Sequence, residues 1–116
     1  MSIQLINQYY TKREKLIQFG GSKNELSIRD AFKDLLNHYA EKKNLMLVPE
    51  IAVQGTKGAK VKPDGTLKNA LRLDYGYWES KDEKDDITDE INAKLKKGYP
   101  QTNILFEDGS TAVLIQ

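Results

Sequence analysis

The order of segments along the chain predicts an α+β protein built in α/β/α layers, a small mixed β-sheet flanked by helices. Three observations carry that expectation. Apolar residues recur at helical spacing from Ile3 to about Lys43, and the stretch from Leu45 to Lys81 reads as strand-like runs punctuated by Gly and Pro. A single helix with clear start and stop signals then separates those runs from a terminal hairpin. The predicted order is helix, helix, strand, strand, strand, helix, strand, strand.

Residues near 3 to 18 form the first predicted helix, with Ile3, Ile6, Tyr10 and Ile17 on one broad face and Gly20-Gly21 ending it. Its expected role is packing. Ser22-Lys23-Asn24-Glu25 has the S-x-x-E form of a capping box and opens a second helix to about Lys43. Ile28, Phe32, Leu35, Leu36 and Tyr39 form its buried stripe. Glu25 lies seven residues before Phe32 and so falls on or near the same inward face. Its carboxylate either bonds back to the cap or faces a site. His38, in the last turns, is expected to be structural.

Leu45 to Gln54, with Leu45, Leu47, Ile51 and Val53 in odd register, reads as a strand broken or bulged at Pro49. Gly55-Thr56-Lys57-Gly58 is a turn. It lacks the G-K-[ST] ending and the following helix of a phosphate-binding loop, which excludes a nucleotide site there. Lys57, Lys60 and Lys62 cluster just before Asp64, either as a solvated hairpin or as contacts to a nucleic-acid backbone. The next strand, roughly Ala70 to Lys81, is expected to carry Leu71, Leu73, Tyr75 and Tyr77 on the face that presents Glu79.

The acidic run from Asp82 to Glu90 suits a solvated helix N-terminus, where the helix dipole favours negative charge. Ile87, Ile91 and Leu95 anchor that helix, Lys94, Lys96 and Lys97 complement its C-terminal dipole, and Gly98 with Pro100 stops it. Asn103–Phe106 and Thr111–Gln116 are short strands joined by the turn Glu107-Asp108-Gly109-Ser110. The chain stops on the apolar run Ala112-Val113-Leu114-Ile115, the expected signature of a piece of a longer multidomain protein.

Composition narrows the function classes. A chain of 116 residues makes one domain, residues 1–116, with room for a single core. It is 39% apolar and 30% charged, so it should fold with a well-solvated surface. A net charge of +1 gives no global attraction to nucleic acid, so any such affinity must be local. There is no cysteine and one histidine, which excludes disulfides, thiolate zinc sites and cysteine nucleophiles. No apolar run is long enough to span a bilayer and the N-terminus is unlike a signal peptide, so a cytoplasmic protein without a membrane partner is expected.

The motif that organises the chain is Pro63-Asp64 followed by Glu79-Ser80-Lys81, the two acids being 15 positions apart (79 − 64). Alternate side chains of a strand share a face, so Glu79 and Lys81 project together while Ser80 turns away and offers its backbone carbonyl. Asp64 on a neighbouring strand would complete a pocket of two carboxylates and a cation. A Mg²⁺-dependent phosphodiesterase needs that set. Two objections stand against Asp64. Asp-Gly is a common turn dipeptide, and Asp74 is a rival ligand. However, Asp74 lies 5 positions before Glu79 (79 − 74), an odd number, so only a bulge, with Gly76 its natural seat, would align them.

Pro63-Asp64 and Glu79-x-Lys81, in this order of elements, resemble the PD-(D/E)xK nuclease superfamily. More narrowly, Gly76-Tyr77-Trp78-Glu79-Ser80-Lys81-Asp82, then Asp85-Asp86 and Gly98-Tyr99-Pro100, resemble the N-terminal nuclease domain of type ISP single-polypeptide, ATP-dependent restriction-modification enzymes. The resemblance implies a restriction-endonuclease-like core and Mg²⁺-dependent cutting of double-stranded DNA with little sequence specificity. It assigns Asp64, Glu79 and Lys81 to catalysis. It assigns metal binding to Asp64, Glu79 and the Ser80 carbonyl, with Glu25 as a further ligand on the first core helix, and Mn²⁺ should substitute. It also implies motor, methyltransferase and target-recognition domains on the same longer chain, with ATP used only by them. The competing reading is a nuclease-like fold kept as a non-catalytic DNA-binding or protein-docking module.

Overall fold

The computed structural model describes residues 3–20, 25–81 and 86–116. The predicted capping residues Ser22 to Asn24, and Asp82 and Asp85 of the acidic run, lie outside the described residues. Among the described residues three helices, α1 (Ile3–Gly20), α2 (Glu25–Lys42) and α3 (Ile87–Lys97), accompany seven strands. These are β1 (Met46–Pro49), β2 (Val53–Gln54), β3 (Lys60–Val61), β4 (Gly65–Lys68), β5 (Asp74–Ser80), β6 (Ile104–Glu107) and β7 (Ala112–Ile115). Five of them form one mixed sheet in the order β1-β4-β5-β6-β7, and β2 with β3 makes a separate hairpin. Strands β5 and β6 pair in parallel, and α3 lies in the crossover that a parallel pair requires. The fold is therefore α+β, with the mixed sheet between helices, as predicted.

The two faces of the sheet differ. Register places Thr66, Tyr77, Ile104 and Ile115 across from one another, with Glu79, Phe106 and Val113 continuing the same face. There Ile91 and Tyr99 pack with Ile104 and Phe106, flanked by Ile87, Leu95 and Val61. The opposite face presents Leu47, Trp78, Ser80 and Glu107 toward α1 and α2. Phe32 stacks on Trp78 with centroids 6.2 Å apart, and Tyr9 meets Phe32 edge-on at 5.5 Å. Burying a Trp removes roughly 150–250 Å² from water, which at about 25 cal/mol per Å² contributes on the order of 4–6 kcal/mol gross.

That indole explains Gly65. A Cβ there would sit 2.6 Å from Leu47 Cδ1 and 2.9 Å from Trp78 Cε3. Asp64-Gly65 is thus no turn: Gly65 starts β4, and its missing side chain makes room for Trp78.

Helix α3 ends as predicted. Asp86 caps its N-terminus by accepting from the Thr88 and Asp89 amides, and Gly98 closes it at φ 104°. Other expectations need correction. The strand predicted from Leu45 to Gln54 does break at Pro49, where β1 ends, but its second part, β2, joins a different sheet after Glu50 at φ 48°. The predicted strand from Ala70 starts only at Asp74. Asn69 Oδ1 accepts from the Leu71 and Leu73 amides and folds that stretch into a turn, leaving Leu71 78% and Leu73 59% exposed rather than on the sheet. In α1 it is Tyr9, not Tyr10, that is buried. No helix among the described residues is long and apolar enough to cross a membrane.

Candidate functional site

Gly65 pairs with Trp78, so the residue before β4 arrives beside the residue after Trp78. Asp64 and Glu79 then hold each other through the backbone. The Asp64 amide donates to Glu79 Oε1 at 3.0 Å, and the Ser80 amide donates to Asp64 Oδ2 at 2.8 Å. The Asp64 carbonyl accepts from the Glu50 amide at 3.1 Å, tying the β1 end into the same corner. Both carboxylates sit on rigid main chain, as preorganised chemistry requires.

Three cation contacts converge there. Lys81 Nζ lies 3.2 Å from Glu79 Oε2 and 3.4 Å from Glu90 Oε2, and Lys94 Nζ lies 3.6 Å from the same Glu79 oxygen. Lys94 also stands 4.7 Å above the Tyr99 ring centroid, with its ammonium 3.4 Å from the Tyr99 hydroxyl. That hydroxyl donates to the Lys62 carbonyl at 3.3 Å, linking the site to the β2–β3 hairpin. Glu79 is only 3% exposed. Burial, and then the neighbouring Asp64 charge, push its carboxyl above the usual carboxylate range, while Lys81 and Lys94 oppose the rise. Burial and the Glu79 charge likewise raise the Tyr99 phenol.

The arrangement brings Asp64, Glu79, Ser80 and Lys81 together. It leaves Asp74 out. A bulge does occur, since Leu67 faces Gly76 while Lys68 faces Asp74, and this turns Asp74 to the Tyr77 side. Yet at about 3.3 Å per residue, five residues of strand separate it from Glu79 by roughly 16 Å. Asp74 instead pairs with Lys68 at 2.6 Å and accepts from the Tyr77 hydroxyl at 3.1 Å. Facing was the wrong criterion; distance along the strand decides. Glu25 opens α2, but its side chain lies outside the described residues. Lys57, Lys60 and Lys62 are exposed on and beside the β2–β3 hairpin. His38 is exposed on α2.

Glu90, Lys94 and Tyr99 were not foreseen as site residues. For Glu90 and Lys94 the signal was present: Ile87, Glu90, Ile91, Lys94 and Leu95 recur at three- and four-residue spacing on one face of one helix, whereas Tyr99, past the Gly98 cap, had none. Glu107 is a second buried carboxyl that sequence reading placed in a turn. It stands opposite Ser80 in register, on the other face of the sheet. Its oxygens accept from Trp78 Nε1 at 3.1 Å and from the Gly109 amide at 2.7 Å. Burial raises its carboxyl, against hydrogen bonds from Ser80, Gly109 and Trp78. Among the described residues, no three His, Cys, Asp or Glu side chains converge as a metal cage. Asp64 and Glu79 offer two hard oxygen donors, a set suited to a cation that keeps part of its water shell.

No family model and no curated protein matches the chain. Among solved structures, it is similar to a chain of the cryo-EM structure of the DrdV–DNA complex, at 48% identity and a TM-score of 0.93. The match covers 99% of this chain and 11% of that one, so the present chain spans about a tenth of its relative's length.

Proposed function

We propose that this chain is a Mg²⁺-dependent DNA endonuclease domain of a restriction-modification enzyme, cutting phosphodiester bonds with little sequence specificity of its own. The observation that carries the reading is the convergence of Asp64, Glu79 and Lys81 across two hydrogen-bonded strands. A relative at 48% identity in a DNA complex supports DNA as the partner. The short span of the match supports placement in a longer polypeptide; the motor, methyltransferase and target-recognition parts that the resemblance implies would lie elsewhere in it, the motor using ATP, and the whole would be cytoplasmic.

Asp64, Glu79 and the Ser80 carbonyl would hold the ion, and Mn²⁺, which accepts the same oxygen donors, would replace Mg²⁺. When bound, the ion supplies Lewis-acid stabilisation of charge on the phosphoryl oxygens. Lys81, fixed between Glu79 and Glu90, orients the attacking water and offsets developing negative charge. Lys94, resting on Tyr99, is the second positive group facing the scissile phosphate. Nothing in this set reads base edges, so target choice belongs elsewhere in the polypeptide.

A second reading, a non-catalytic DNA-binding or docking module, draws on one observation: Glu79 Oε2 already meets two ammonium groups. The test is cleavage of supercoiled plasmid by the whole polypeptide with ATP and Mg²⁺, wild type against Lys81→Ala. Loss of cutting by about 10²-fold or more, on the scale of removing a positioned acid–base or charge-stabilising group, with ATP hydrolysis intact, supports the nuclease. Undiminished cutting by Lys81→Ala refutes it.

A further inference from the structure

We infer that the β2–β3 hairpin and the C-terminal turn of α3 together form a rail for the phosphate backbone of duplex DNA, leading into the Asp64–Glu79 pocket. The choice of duplex DNA over other polyanions rests on the nuclease reading above; the rail itself rests on charge and geometry. Residues 51–63 contain Lys57, Lys60 and Lys62 and no acid, and residues 91–103 contain Lys94, Lys96 and Lys97 and no acid. Those two segments carry six positive charges in a chain of net charge +1, so the rest of the chain sums to −5 (1 − 6). Six of the chain's 18 Lys and Arg thus stand on two acid-free segments distant in sequence.

The fold joins them. The Thr56 amide donates to the Gly98 carbonyl at 2.8 Å, and the Tyr99 hydroxyl donates to the Lys62 carbonyl at 3.3 Å. Two glycines permit the approach. A Cβ on Gly55 would sit 3.0 Å from the Gly98 carbonyl oxygen, and one on Gly98 would sit 3.4 Å from Lys57 Cβ. Beside this junction lies a cavity of about 370 Å³ lined by Lys57, Asn92, Leu95, Lys96 and Gln101, four of which carry hydrogen-bond donors.

Lys57, Lys60, Lys62, Lys96 and Lys97 are all exposed, and none joins an ion pair among the described residues. Lys15, Lys43 and Arg72 are also exposed and outside any ion pair among the described residues, but singly, on separate elements; the junction is where such lysines cluster. Lys12, Lys33, Lys68, Lys81 and Lys94 each meet a carboxylate. Complementing the α3 dipole accounts for Lys96 and Lys97 but not for three lysines on a hairpin. The helix end carries only about half a negative charge, which five ammonium groups outweigh. The rail also meets the pocket: Lys62 is bonded to Tyr99, Tyr99 carries Lys94, and Lys94 faces Glu79.

The experiment is fluorescence anisotropy of the full chain with a labelled 20-base-pair duplex of arbitrary sequence, in EDTA, over a salt series. Each neutralised phosphate contributes about −0.9 to the slope of log K against log salt, so five contacts give about −4.5. Lys57→Gln/Lys96→Gln should make the slope shallower by about 1.8 and weaken binding on the order of 10–100-fold at 50 mM salt. Lys15→Gln/Lys43→Gln, exposed on α1 and just after α2, should change neither. An equal loss from both pairs, no loss from the rail pair, no duplex binding by the wild type, or binding to phosphatidylserine vesicles in place of duplex overturns the rail. Cleavage by the wild type with rail-pair binding unchanged sinks the rail and leaves the nuclease standing. Binding with the expected slope but no cleavage under any metal does the reverse.

Discussion

Glu79 and Glu107 lie on adjacent parallel strands, one register step apart, and point to opposite faces of the same sheet. Both are almost wholly buried, 3% and 1% exposed, and burial raises both carboxyls. Their partners differ in kind. Glu107 is held by neutral donors fixed in the fold, the Trp78 indole and the Gly109 amide, beside a turn that Tyr9 also grips through the Gly109 carbonyl at 2.9 Å. Glu79 keeps one main-chain donor, while its other oxygen meets two ammonium groups and its neighbour is another carboxylate. An acid surrounded by fixed neutral dipoles closes a structure. An acid held by ion pairs beside a like charge can exchange an ammonium partner for a metal cation.

Exchanging the two residues' fates in mutants is the strongest way to break this contrast. Glu79→Ala should abolish DNA cleavage, by about 10³-fold or more if it holds the ion, while the melting curve moves little. Removing an acid that crowds Asp64 offsets part of what is lost. Glu107→Ala should do the opposite. It leaves the Trp78 N–H and the Gly109 N–H buried without acceptors, each costing about 1–3 kcal/mol, so urea denaturation should show a loss on the order of 2–6 kcal/mol. Activity should fall only with the folded fraction. A stable Glu107→Ala protein with no activity would make both acids functional and dissolve the distinction.

Asp74 sharpens the comparison from a third position. It shares the strand of Glu79 but is exposed and paired with Lys68, a contact worth under about 1 kcal/mol at such a site. Asp74→Ala should leave cleavage unchanged and shift the urea midpoint slightly. A cleavage defect as deep as that of Glu79→Ala would move the site to the other end of β5.

Much of this was legible in the sequence, and the failures have physical causes. The parity of Glu79 and Lys81 follows from any strand, and the α3 boundaries follow from Asp86, Gly98 and the spacing of Ile87, Ile91 and Leu95. Strands β2, β3 and β4 are two to four residues long, too short for alternation to register. Gly65 looked like a turn residue because the indole that requires it lies 13 positions away (78 − 65), a contact no local pattern contains. Lys94 was masked by a sufficient local explanation, the helix dipole, although its inward spacing was visible. Glu107 was hidden by a turn motif whose first residue the fold uses as a buried anchor.

The smallest expected effect concerns pH. A carboxyl whose folded pKa lies above its unfolded value is favoured while both states are protonated. Its contribution is lost as pH rises from about 4.3, the usual Glu value, through the raised folded value. In wild type this loss should come from both buried acids. Glu107→Gln should remove its share and flatten the stability–pH curve above about pH 4.3, where the unfolded carboxyl begins to ionise. A curve unchanged by the substitution would mean that the neutral donors offset the effect of burial.

The most direct test of the central claim, that Asp64 and Glu79 form a cation site, needs no DNA and no other domain. Thermal melting is followed with and without millimolar Mn²⁺ for wild type, Glu79→Ala and Asp74→Ala. A ligand that binds only the folded state at 100 times its Kd adds about 2.7 kcal/mol. Wild type and Asp74→Ala should therefore melt several degrees higher with metal, and Glu79→Ala should not respond. An equal rise in all three proteins, or none in wild type, contradicts the account.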